Sequence, residues 1–251
     1  MDTVLEKQLI HTDDGDADAI YVRPAGDGGP WPGVVLYMDA FGLRPRLEEM
    51  ATRLAAEGYA VLAPNVFYRA GPAPVVDLGD ISTQDGQSAT FGKLMPLIQQ
   101  LGPDLAERDA AAYLDFLASR SEVEQPYGMV GYCMGGRLAF GAAAVAGERA
   151  AAVASFHASR MVTDDETSPH LLLPRIRGEV YVAHADHDQG MPSEQQERFA
   201  AALREAGLTF TAEQYDDARH GFTMSDTPVY DAAATERHWH ALLGLFDRQL
   251  H

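Results

Sequence analysis

Gly131-Tyr132-Cys133-Met134-Gly135-Gly136 closes a short apolar run and opens an alanine-rich, helix-like segment. Gly-x-Cys-x-Gly between a strand and a helix has the shape of a nucleophile elbow, a sharp turn that lifts one side chain clear of the backbone. Gly131 and Gly135 let the strand and helix approach closely around that bend. At the N-terminus of a helix the positive end of the dipole favours a thiolate, and free backbone N–H groups can bind an oxyanion. The Met134 N–H is the natural first donor. Cys133 is the only cysteine of the chain, and the alternative for it is a buried structural thiol in a glycine-rich turn.

A thiol nucleophile needs a base to take its proton and a carboxylate to orient that base. On a strand–helix scaffold these groups follow different strands at the carboxyl edge of the sheet, in the order nucleophile, acid, histidine. The run Val182-Ala183-His184-Ala185-Asp186-His187-Asp188 leaves a strand and supplies Asp186 as the expected carboxylate, with Asp188 as the second choice. Asp217-Ala218-Arg219-His220-Gly221 places His220 in the loop after the last strand, as the expected base. His184 and His187 read as loop neighbours, and His238 and His240 as structural or surface residues of the last helix. A metal site is a minor reading, because no partner set has zinc-like spacing. His157 follows the strand after the elbow, where it would either contact substrate or sit satisfied at a strand end.

The elements needed to hold these groups are visible in the apolar runs. Residues 4–11 and 18–23 read as two strands around the turn Asp13-Asp14-Gly15-Asp16, which lacks the longer loop of a calcium site. Residues 33–38 and 59–63 are continuous apolar runs, as in strands covered on both faces, with a helix predicted over 45–57 between them. Residues 66–103 break the rhythm. They are expected to be an irregular excursion that builds part of the pocket wall, with a short helix over 91–101. Further helices are predicted from Pro103 to about Arg120, over 193–206 and over 230–250, with strands at 151–156, 179–183 and 208–215. Residues 169–174 read as a loop or short turn. The alternation predicts an α/β fold in one domain, a mostly parallel, doubly wound sheet with helices on both faces.

Acidic residues outnumber basic ones by 37 to 19, for a formal net charge of −18. That balance argues against nucleic acid and against anionic membranes as partners. One cysteine cannot form an internal disulfide, and the first residues show no basic segment followed by an apolar one, so a cytoplasmic protein is expected. The composition carries no sign of oligomeric state.

The motifs resemble the dienelactone hydrolase family of α/β-hydrolases. Residues 131–136, Ala183-His184-Ala185-Asp186 and Arg219-His220-Gly221-Phe222 carry the resemblance. Asp39-Ala40-Phe41-Gly42, the stretch 58–65 and Phe67-Tyr68-Arg69 are similar too. The cysteine elbow is its most specific part, since most α/β-hydrolases hold serine there. The resemblance covers about residues 16–248. It implies a Cys133–His220–Asp186 triad that cleaves an ester or lactone without a cofactor, and a second oxyanion donor at the Ala40 N–H. It also implies that Asp39 stands where the family usually has a glutamate bonded to the resting thiol, and that Tyr68 and Arg69 support substrate. Family members that cleave dienelactone use an arginine shortly after the histidine, and here Thr223-Met224-Ser225 stands instead. A broader carboxylesterase or thioesterase is the alternative within the same chemistry. A ligand-binding or redox-sensing protein whose thiol is modified without turnover is the alternative outside it.

Overall fold

The computed structural model describes residues 1–251. Eight strands form one sheet: β1 Thr3–Thr12, β2 Gly15–Pro24, β3 Trp31–Tyr37, β4 Ala60–Pro64, β5 Val123–Tyr132, β6 Ala150–Phe156, β7 Glu179–Ala185 and β8 Phe210–Tyr215. Their order is β1-β2-β4-β3-β5-β6-β7-β8. The β1–β2 and β2–β4 pairs are antiparallel and every other pair is parallel. The apolar runs occupy the middle: every residue of β3 and β4 is buried. Edge strand β1 instead alternates, with Leu5 and Leu9 turned to solvent.

Helices cover both faces. α1 (Pro45–Ala56) and α6 (Ala232–Leu250) pack together on one, joined by the Arg53–Glu236 ion pair and by Arg53 lying over the Trp239 ring. On the other, α3 (Pro103–Ala118) packs against α4 (Met134–Ala146), and Phe140 of α4 meets Phe199 of α5 (Ser193–Glu205) edge-on. Short 3₁₀ turns span 68–70, 147–149 and 169–175.

The helix of the excursion is longer than its apolar residues suggest. α2 runs Gln84–Gln100 rather than starting at Phe91, because the Thr83 side chain caps it by accepting the Gly86 N–H. Its first turn, Gln84-Asp85-Gly86-Gln87, carries no apolar period to announce a helix.

The sheet order decides where a site can form. The chain leaves β3 to build β4 on one side, then returns to lay β5 on the other, so the crossovers diverge at the carboxyl ends of β3 and β5. Such a switch point opens a crevice outside the sheet edge. The register keeps the strand ends level: Tyr37 lies opposite Gly131, Tyr132 opposite Phe156, Phe156 opposite Ala183, and Ala185 opposite Tyr215. The loops after these strands therefore leave from one edge.

Candidate active site

Cys133 is the single residue between β5 and α4, with φ 54° and ψ −121°. A non-glycine residue in this region costs about 1–3 kcal/mol and is kept only when its surroundings over-determine it. Here the Cys133 N–H donates to the Phe156 carbonyl at 3.1 Å, and its own carbonyl accepts the Gly136 N–H at 3.2 Å. A side chain at Gly131 would run into the Gly135 carbonyl, and one at Gly135 would run into the backbone oxygens of Tyr37 and Met38. The tight bend therefore requires glycine at both places. The half-buried Cys133 side chain opens into a pocket of about 280 Å³, which Asp39, Ala40, His157, His220 and Gly221 also line.

His220 stands in this pocket with Nδ1 2.7 Å from the Asp188 carboxylate, which leaves Nε2 for the thiol side. The Ser159 hydroxyl is a longer second neighbour of Nδ1, at 3.4 Å. Burial pushes the imidazole down. The Cys133 sulfur and the Asp188 hydrogen bond outweigh it and hold His220 well above its ordinary value of 6.5. Asp188 is 6% exposed at its side chain and also accepts the Gly190 N–H at 2.8 Å. Burial raises its pKa, and the hydrogen bond and charge of His220, with the Gly190 N–H and His184, together more than reverse this, so the carboxyl lies below the ordinary 3.8.

The expectation for Asp186 is corrected by this geometry. Its carboxylate accepts the Asp217 N–H at 3.0 Å and the Gln214 amide at 3.3 Å, and its backbone N–H donates to Ala218. Asp186 thus braces the loop that carries His220, without touching the imidazole. Between the two aspartates His187 takes a φ of 53°, so strand alternation no longer relates their directions. Only Asp188 turns under the ring. His187 is exposed, whereas His184 is buried at the end of β7, with its pKa pushed down to about 4 by burial, against a smaller opposing pull from Asp188.

Asp39 is also differently engaged from the expectation. Arg44 grips both of its carboxylate oxygens, at 2.6 and 2.9 Å, so Asp39 is not free to bond the resting thiol. The same guanidinium holds Asp226 at 2.5 and 3.2 Å. Asp39 begins one wall of the pocket, and Asp226 sits in the loop whose Met224, Thr227 and Val229 line the other. Arg44 therefore ties the two walls together. Arg46 adds a bond to the Thr223 carbonyl at 2.7 Å. The sequence does not show Arg44 as a bridge, because Asp39 lies five residues away but Asp226 lies 182. Replacing Arg44 with methionine leaves the Asp39 charge buried and uncompensated, and is expected to cost about 3–5 kcal/mol of stability by urea denaturation.

In the turn after β3, Phe41 N–H bonds the Asp39 side chain and Gly42 N–H bonds its carbonyl, leaving the Ala40 N–H unclaimed. The Met134 N–H, in the first turn of α4, is equally without an intrahelical acceptor.

His157 is fully buried, with φ 42°. Its Nε2 meets the Thr223 hydroxyl at 2.8 Å, and its ring lies 5.3 Å from that of His220, edge to face. Burial, followed by the nearby His220 and His238, pushes its pKa well below 6.5, so it stays neutral beside a charged neighbour. His238 is buried against Tyr132 and is a core residue.

Tyr68 and Arg69 lie outside the pocket. Tyr68 bonds Thr12 and Asp109, while Arg69 bridges Asp109 and Asp14. They fasten the start of the excursion to α3 and to the acidic β1–β2 turn, whose charge Arg69 and Arg108 balance. Gln87, Ser88 and Phe91 of α2 line the pocket instead. No group of three or more His, Cys, Asp or Glu side chains is arranged to hold a metal ion. No helix is long and apolar enough to cross a membrane.

Comparison with known proteins agrees with this architecture. The profile of the dienelactone hydrolase family matches residues 17–250. A provisionally named carboxymethylenebutenolidase of Salmonella typhi is 28% identical, covering 96% of this chain and 92% of its own length. The carboxymethylenebutenolidase of Rhodococcus opacus is 26% identical, covering 92% of this chain and 86% of its own. Among solved structures, a provisionally named dienelactone hydrolase from Klebsiella pneumoniae superposes with a TM-score of 0.85 at 21% identity, covering 98% of this chain and 99% of that one.

Proposed function

The chain belongs to the dienelactone hydrolase family, and from that premise we propose that it hydrolyses a carboxylic ester or lactone through Cys133, His220 and Asp188. The observation that carries the reading is His220 held between a buried carboxylate and the elbow thiol, with its pKa raised by both. His220 takes the Cys133 proton through Nε2, and Asp188 keeps Nδ1–H pointed away from the sulfur. The thiolate attacks the carbonyl carbon. The developing oxyanion is received by the Met134 and Ala40 N–H groups, the two backbone donors left unclaimed at the pocket. His220 returns its proton to the leaving alkoxide, giving an alcohol and a thioester on Cys133. Water then enters, His220 removes its proton, and the acid departs as the thiolate re-forms.

Asp39 serves this scheme indirectly. Clamped by Arg44, it fixes the turn that presents Ala40 instead of restraining the resting thiol. His157, neutral and bonded to Thr223, supports the loop after His220. The scheme draws on no cofactor. A lone thiol on an enzyme of this kind suits a reducing cytoplasm.

Acyl-enzyme trapping tests the proposal. A para-nitrophenyl ester mixed with enzyme in excess of turnover should release nitrophenolate in a burst equal to the enzyme present. Quenched protein should carry one acyl group on the peptide containing Cys133, and that group should disappear as steady turnover proceeds. Stable labelling without turnover would identify a modified, non-catalytic thiol instead. Absence of any acyl group would remove the thioester from the mechanism.

A further inference from the structure

Beyond Cys133 and the histidines, the lining of the catalytic pocket turns apolar. Ala40, Phe41, Phe91, Met224 and Val229 make up most of it. Its hydroxyls are committed within the chain. Thr227 donates to the Met224 carbonyl at 2.9 Å, and Ser88 to the Gln84 carbonyl at 3.0 Å. Phe91 stands at the edge of the pocket on α2 and is 43% exposed. An aromatic ring left in water beside a pocket gains when an apolar ligand covers it.

No lysine or arginine side chain lines this pocket. The nearby cations are already claimed. Arg44 spends its guanidinium on Asp39 and Asp226, two carboxylates against one positive charge, so that wall carries a net negative charge. Arg46 is held by the Thr223 carbonyl and Glu49. His220 stands between Asp188 and the Cys133 sulfur. A carboxylate brought into such a pocket loses water and meets no partner, which is costly. The excess of 18 negative charges on the chain opposes its approach as well.

We propose that this pocket selects uncharged esters and houses a short aliphatic acyl chain against Phe91, Met224 and Val229, rejecting acyl chains that end in a carboxylate. This rests on the hydrolase reading and adds the substrate class to it. The acyl half stays bonded to Cys133 from attack until water releases it, so the walled space beside the thiol is its place in both steps. The volume of about 280 Å³ holds about nine water-sized groups at roughly 30 Å³ each, enough for one half of an ester and not for both.

The test compares para-nitrophenyl hexanoate with the mono-para-nitrophenyl ester of adipic acid, which has the same six-carbon chain with a carboxylate in place of the terminal methyl. Wild type should prefer the hexanoate by about tenfold or more in kcat/KM. Phe91→Arg places a cation at the pocket edge and should cut that ratio by about tenfold, the range of one charge-assisted hydrogen bond, while Phe91→Leu should keep it. Equal kcat/KM for the two esters in wild type, or preference for the adipate, would overturn the proposal. So would a ratio that Phe91→Arg leaves unchanged, since the chain would then lie away from that wall. If wild type cleaves neither ester, the hydrolase reading fails on its own. The methyl resonance of Met224, in protein carrying isotope-labelled methionine, then decides the pocket during titration with hexanamide and with adipamate, the same amide ending in a carboxylate. A shift that saturates with hexanamide and is absent with adipamate upholds the selection, and no preference for hexanamide refutes it.

Discussion

Cys133→Ala is expected to lower kcat for a small aryl ester by about ten-thousandfold or more, since the proposed thioester cannot form without the Cys133 sulfur. The fold should survive. Alanine removes only the sulfur, and the Cys133 backbone keeps its bonds to Phe156 and Gly136. The positive φ of 54° is tolerated by alanine no worse than by cysteine. Binding of a slow ester, followed by equilibrium methods, should change little, because the Met134 and Ala40 N–H groups remain in place. Cys133→Ser is the sharper companion. The hydroxyl is far less acidic than the thiol, so His220 must act as a base during attack rather than holding a proton beforehand. Activity retained in Cys133→Ala, with protein freed of wild-type contamination, would place the chemistry elsewhere.

Asp188→Asn and Asp186→Asn separate two neighbouring carboxylates by their effects. The first should reduce kcat by up to about ten-thousandfold, the drop found when the orienting carboxylate of a serine triad is made an amide. The second should stay within about threefold, because asparagine still offers an oxygen to the Asp217 N–H. A spectroscopic signature accompanies the rate. Asp188 is one of the groups that raise the His220 pKa, so that pKa measured by NMR should fall in Asp188→Asn and stay in place in Asp186→Asn.

The pair also ties stability to pH. His220 has a raised pKa when folded, so its contribution is full below 6.5 and lost as pH rises through the folded value. Asp188 has a depressed one, so its contribution is full above 3.8 and lost as pH falls through the folded value. Both are complete between 3.8 and 6.5, and that window should flatten in Asp188→Asn. A rate unaffected by Asp188→Asn would show that His220 needs no carboxylate.

Much of the site was legible because it is local or topological. The elbow is a run of six residues in which Gly131 and Gly135 answer to backbone contacts made within the turn or with the adjoining strand. His220 could be found because a parallel sheet with level strand ends brings the loops after β5, β7 and β8 to one edge. The same logic located the acid to a loop and stopped there. Asp186 and Asp188 have the same side-chain chemistry and stand two residues apart, and the left-handed His187 between them decides which one faces the imidazole.

The family resemblance put Tyr68 and Arg69 near substrate, but Asp109, some 40 residues on, captures both. Arg44 was silent in sequence, and it matters because carboxylates of two loops far apart in the chain converge on it.

The sequence by itself thus determined the α/β alternation, the strained thiol at a helix start and the loop that brings His220 to it, since each depends on neighbours within a few residues or on strand order. Tertiary structure alone decided which carboxylate meets His220 and what holds Asp39. Those choices rest on side chains meeting across loops, where charge pairing and burial act over distances in space that chain order does not record.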